Sequence, residues 1–185
     1  MLNLGKRWIL IIVYIYAIIF SLSGYALSEP LHNAAKEGSL EKVTRLVEEG
    51  SNINIRTDTG VTPLHFAAYR GHKDVAEFLI LKGADINSQT DVGDTPLLWA
   101  VRKGKCDVVE LLVSKGANVD AKDPMDRTPL ALACYSGYAN CAEILILNGA
   151  DVNAADVDGH TPLFWASGRN SKDIAEMLIK HGGHK

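Results

Sequence analysis

An all-α solenoid of five 33-residue helix-turn-helix units, preceded by an N-terminal apolar signal helix, is the fold class this sequence predicts, and three observations predict it. A Pro-Leu pair recurs at Pro30-Leu31, Pro63-Leu64, Pro96-Leu97, Pro129-Leu130 and Pro162-Leu163. A glycine series with the same interval runs through Gly50, Gly83, Gly116, Gly149 and Gly182. Between them lie short stretches with apolar residues at i, i+3 and i+4, the spacing of one helix face. Self-similarity at a period of this length marks a chain that stacks copies of one small unit.

At the N-terminus, Lys6 and Arg7 precede an unbroken apolar run from Trp8 to Phe20, and the small-residue stretch Ser21 to Ala26 follows. That is the layout of a secretory signal peptide, with cleavage expected after Ala26 or Ser28. Counted on to Leu27, the run approaches the roughly 20 residues that span a bilayer, so a retained anchor is the alternative. In either case the basic pair holds the N-terminus inside and sends the rest outward. Residues 1–26 are thus read as the signal segment, 28–60, 61–93, 94–126 and 127–159 as full units, and 160–185 as an incomplete fifth.

Within each unit the elements follow from local chemistry. Thr62, Thr95, Thr128 and Thr161 stand just before the prolines. There a hydroxyl caps a helix whose first position tolerates proline, because that amide has no intrahelical acceptor. This first helix should close at Gly38, Gly71, Gly104 and Gly137, with Asn170 in that place in the last unit. A second helix follows, its buried face marked by Val43, Leu46, Val47; Val75, Phe78, Leu79; Val108, Leu111, Leu112; Cys141, Ile144, Leu145; and Ile174, Met177, Leu178. Polar turns closing at Gly60, Gly93 and Gly159 then project between units, and Asp126 in the equivalent place predicts a different turn there.

The stretch Thr62-Pro63-Leu64-His65-Phe66-Ala67-Ala68 answers a Thr-Pro-Leu-His-x-Ala signature. With five registers in step over residues 28–183, the chain resembles the ankyrin-repeat proteins, in the form of an exported member with a signal peptide. The resemblance implies that the first helices line a concave side and that His65 makes a structural hydrogen bond to Thr62. There are departures: Glu29 replaces the capping threonine of the first unit, and Leu98, Ala131 and Phe164 replace the histidine kept at His32 and His65.

Formal charge is −3 overall, and −5 once Lys6 and Arg7, the only charges before Glu29, are removed with the signal segment. No basic cluster marks a nucleic-acid footprint. Stacking turns equivalent positions into rows: Phe66, Trp99 and Trp165 in one, and Tyr69, Arg102 and Tyr135 in the row three residues on. Large aromatics and arginine dominate binding hot spots, so these six residues are the candidate partner site. Plain packing between first helices would account for the same row. Arg56, Gln89, Lys122, Met125 and His160 at the loop tips form a second candidate surface, where ordinary solvated turn chemistry explains the variation equally well. The function read from this is a monomeric protein-binding scaffold that acts after export, in the periplasm or outside the cell, with no cofactor. An accessory factor or inhibitor of a specific enzyme is one alternative, and a membrane-tethered adaptor is another.

Catalytic and metal chemistry finds little support. Asp156-Val157-Asp158-Gly159 opens like a calcium loop, but Ser167 stands where the bidentate glutamate is required. No serine or cysteine nucleophile recurs at a fixed offset beside His65. The cysteines Cys106, Cys134 and Cys141 are odd in number, so one is left over in an oxidising compartment. Cys134 and Cys141, both in the fourth unit, are the candidate bridge if their Cα atoms come within about 7 Å. Small core hydrophobes are the competing role for such residues.

Overall fold

Each Thr-Pro begins a helix, as its capping chemistry requires. The computed structural model describes residues 30–168 and 171–184, so the signal segment and Asn170 lie outside the described residues. Ten helices and no strand are found among the latter. They are α1 over residues 30–37, α2 Leu40–Glu48, α3 Pro63–Arg70, α4 Lys73–Leu81, α5 Pro96–Arg102, α6 Cys106–Ser114, α7 Pro129–Ser136, α8 Ala139–Leu147, α9 Pro162–Gly168 and α10 Lys172–Lys180. The side-chain oxygens of Thr95, Thr128 and Thr161 accept the amides of Leu98, Ala131 and Phe164 at 3.3, 3.2 and 3.4 Å.

The helices form two layers. First helices pack in sequence as α3, α5, α7 and α9, and second helices as α2, α4, α6, α8 and α10. The core runs continuously through the stack: Leu31, Leu64, Leu97 and Leu130 from the first layer, and Val43, Leu79, Leu112, Leu145 and Leu178 from the second, are fully buried. Each such side chain contributes roughly 1.5–3 kcal/mol by leaving water. No helix of the described residues is long and apolar enough to cross a membrane.

Two repeating sets of polar contacts order the loops, one between units and one within each loop. Asn54, Asn87, Asp120 and Asn153 accept, through Oδ1, the amides of Asp85, Asn118, Asp151 and His184 one unit later, at 2.8, 2.8, 3.0 and 3.0 Å. Within each projecting loop, Thr57, Thr90, Asp123 and Asp156 accept the amides of Val61, Asp94, Arg127 and His160 at 3.0, 3.1, 3.0 and 2.9 Å. The loop at Asp126 does not differ from the others, contrary to the expectation from sequence. Asp126 adopts a left-handed φ of 58°, and its amide donates to Asp123 O at 2.9 Å, as Gly60, Gly93 and Gly159 do in theirs. Aspartate is among the few residues that tolerate this conformation.

Gly104 shows a second reason for glycine in the first-helix series. Its φ is 61°, and a Cβ there would stand 2.9 Å from the ring of Tyr138, which packs against it from the next unit.

His65 caps its own helix through one ring nitrogen and reaches the next unit through the other. Nδ1 accepts the amide of Thr62 at 3.2 Å, which leaves the proton on Nε2 to donate to Asp94 O at 3.0 Å. His32 repeats the contact one unit earlier, with Nε2 donating to Val61 O at 3.1 Å. Burial lowers the pKa of His65 to about 4, the hydrogen bond to Asp94 only partly opposing it. The unfolded chain, with a value of 6.5, therefore binds a proton that the folded chain refuses. Stability from this residue is full above pH 6.5 and is lost as pH falls toward 4, amounting to about 3 kcal/mol at 1.4 kcal/mol per pH unit. Urea titrations across that window should show the loss, and His65→Leu, the residue type of Leu98, should flatten it.

The disulfide expectation is corrected. Cys106 pairs with Cys141, their Cα atoms 4.9 Å apart, and Cys134 is a buried free thiol whose pKa burial pushes up to about 12. Cys134 lies on α7, enclosed by the core, whereas Cys106 opens α6, which packs directly on α8.

Candidate partner-binding face

The first-helix row divides into two aromatic clusters. Around Trp99 on α5, the rings of His65, Phe66 and Tyr69 from α3 stand edge-to-face at centroid distances of 5.2, 6.1 and 5.6 Å. Around Trp165 on α9, Tyr135 from α7, Phe164 and His160 stand at 5.3, 5.4 and 5.1 Å, with His160 stacked on Phe164 at 3.8 Å. Edge-to-face pairing follows from the quadrupole of each ring, negative on the face and positive at the rim. Both indoles are anchored, Trp99 Nε1 donating to Asp94 Oδ2 at 3.2 Å and Trp165 Nε1 to Asp156 Oδ2 at 3.1 Å. Tyr135 is exposed, while Phe66, Tyr69, Trp99, Arg102 and Trp165 are half-buried.

A charged network separates the clusters. Arg102 donates to Asp94 Oδ2 and, at 3.0 Å, to Asp123 Oδ2. Arg127 donates to the same Asp123 oxygen from Nε and Nη2 at 3.0 and 2.8 Å. Asp123 Oδ1 accepts the amides of Met125 and Arg127. Burial alone would raise the Asp123 carboxyl, but the hydrogen bonds from Arg127, joined by Met125 and Arg102, hold it below the usual carboxylate range. Burial likewise opposes the Arg102 charge, and the bond and attraction of Asp94, then of Asp123, outweigh it and raise its pKa. Both guanidinium groups are thereby ion-paired to the same buried carboxylate.

Tyr69, Asp94, Trp99, Arg102, Arg127 and Tyr135 line a cleft of about 520 Å³, with Leu132, Lys103 and Ser136 completing it. The structure thus brings Tyr69, Trp99, Arg102 and Tyr135 around one cleft and leaves Phe66 and Trp165 at its flanks. Sequence reasoning missed Asp123 and Lys103. The signal for Asp123 was a carboxylate at the loop position held by Thr57 and Thr90 in earlier units.

The chain belongs to the ankyrin-repeat family. The family model described as ankyrin repeats (3 copies) matches residues 31–123 and again 122–185. Ankyrin repeats are generally protein–protein interaction modules, and the family is typically a non-enzymatic scaffold. None of the curated proteins matches the chain.

In an ankyrin stack the projecting loops offer a second surface, and here the loop-tip residues have unequal freedom. Arg56 is engaged with the next loop, donating to Gln89 O at 2.8 Å and facing Asp91 at 3.7 Å. Lys122 pairs with Asp126 at 3.4 Å, His160 is stacked on Phe164, and Gln89 and Met125 are exposed. The acidic turn at Asp156, Asp158 and His160 brings three potential ligand atoms within 4.8 Å of one another. Asp156 has both oxygens engaged, Oδ1 with the amides of Asp158 and His160 and Oδ2 with Trp165, so its role is that of a turn residue.

Proposed function

We propose that this chain is a scaffold that docks a protein partner through the concave first-helix face of its ankyrin stack, working after export. The observation that carries this reading is the cleft between two aromatic clusters, walled by ion-paired arginine and half-buried rings. Such groups bury large area at a reduced ordering cost on binding, because ring packing, indole hydrogen bonds and ion pairs already position them in the free protein. The Cys106–Cys141 bridge supports the placement, since disulfides persist in oxidising compartments outside the cytosol.

Trp99→Ala and Trp165→Ala test it. Each should weaken capture of the partner from the exported fraction by about thirtyfold, corresponding to the roughly 2 kcal/mol of a hot-spot residue. Retained helical circular dichroism must accompany the loss, because both indoles also pack internally. A folded double variant with full capture would mean that the rings are packing elements only.

A further inference from the structure

The charge of the first-helix layer is opposite to that of the chain. Lys36, Arg70, Arg102 and the adjoining Lys103 face a single carboxylate, Glu37, in this layer, within a molecule of net charge −3. Glu37 is occupied by Lys42 at 2.8 Å, and Arg102 by Asp94 and Asp123. Lys36, Arg70 and Lys103 are exposed and make no ion pair among the described residues. Instead they rest on the groove aromatics: Lys36 Nζ is 6.0 Å from the Phe66 ring centre, and Arg70 Cζ and Lys103 Nζ are 5.7 and 4.8 Å from that of Tyr69.

These three cations come from three consecutive units, and packed helices repeat at roughly 8–10 Å. An extended chain in the polyproline II form advances about 3.1 Å per residue with about three residues per turn, so every third side chain returns to the same side and meets the next unit. Resting over a ring keeps each cation partly out of water while leaving its outer side open to an anion.

We propose that the partner presents an extended acidic segment to this groove. Its carboxylates, about three residues apart along one side of that extended helix, lie over Lys36, Arg70 and Lys103, and its apolar side chains enter the cleft between Tyr69 and Tyr135. The proposal rests on the scaffold reading and adds the chemistry of what the scaffold holds. Opposite charge along the rim raises the encounter rate and selects the partner, while the rings supply the apolar contact.

The test is selection of short random peptides, displayed on phage, against the folded mature chain at physiological salt. Enriched peptides should carry Asp or Glu interleaved with apolar residues. They should bind a Lys36→Glu, Arg70→Glu, Lys103→Glu variant at least about tenfold more weakly, since exposed pairs contribute up to about 1 kcal/mol each. All three side chains are exposed, so this variant is expected to keep its fold, and its melting curve checks that. Enrichment of neutral or basic peptides, acidic peptides that bind the reversed variant equally well, or no enrichment overturns the proposal. A Trp99→Ala arm separates the two readings. Peptides lost with Trp99→Ala but indifferent to charge reversal leave the aromatic groove standing without its acidic partner, and indifference to both removes both.

Discussion

Reducing the Cys106–Cys141 bridge is expected to lower the stability of the stack by about 4 kcal/mol, the loop-entropy value for a cross-link that closes a loop of this size. The two cysteines are 35 residues apart in sequence and sit on neighbouring second helices, so the bridge closes over one whole repeat period. In a solenoid each unit touches only its neighbours, and stability is a sum of intrinsic and interface contributions. The loss should therefore be local, with α8, α9 and α10 detaching first while the units before them stay folded. Urea unfolding with and without dithiothreitol measures the magnitude, and hydrogen exchange locates it. A Cys106→Ala, Cys141→Ala variant should match the reduced protein. Cys134→Ala should keep its sensitivity to dithiothreitol, because Cys134 takes no part in the bridge. Three titratable thiols in denatured, unreduced protein from an oxidising compartment would refute the pairing.

That bridge also shows where sequence reasoning stops. The period, the Thr-Pro caps and the apolar faces of the second helices were legible because each depends on residues within a few positions of one another. Contacts between units depend on wrapping the chain at that period, and several were not seen until it was wrapped. Within one unit, sequence proximity pairs Cys134 with Cys141. Folding the sequence at its interval sets Cys106 two residues from the equivalent of Cys141, and α6 against α8. Asn54, Asn87, Asp120 and Asn153 read as ordinary turn residues for the same reason, although each accepts an amide from the next unit. Arg102 was legible as a groove residue by register. That two carboxylates hold it was not, because Asp94 and Asp123 lie on different loops. Asp126 reads as a break in the glycine series, yet aspartate tolerates the left-handed φ of 58° and its amide donates to Asp123 O as the glycine amides do in the other loops.

Asp123→Ala is expected to cost about 3–5 kcal/mol, the range for removing one partner of a buried ion pair. The Asp123 side chain is fully buried, with Arg102 and Arg127 about 30% exposed on either side of it. Its loss would leave Arg127 without an ion pair, Arg102 with Asp94 alone, and the amides of Met125 and Arg127 without acceptors. Asp123→Thr separates these contributions. Threonine occupies the same place at Thr57 and Thr90, where its hydroxyl accepts the loop amide, so this variant should recover the turn but not the ion pairs. Its cost should be about half as large, since a neutral hydrogen bond contributes near 1 kcal/mol and one to a charged group 1.5–3. The carboxyl is held below its ordinary 3.8, so its contribution is present above that pH and is lost as pH falls through the lower folded value. The wild-type advantage over Asp123→Thr should accordingly shrink in acid. Equal stability of the two at neutral pH would mean that Arg102 owes its position to Asp94 alone. The variant also bears on binding, because an Arg102 freed from Asp123 no longer holds the wall of the cleft between Tyr69 and Tyr135. Partner affinity should then fall although every aromatic residue remains in place.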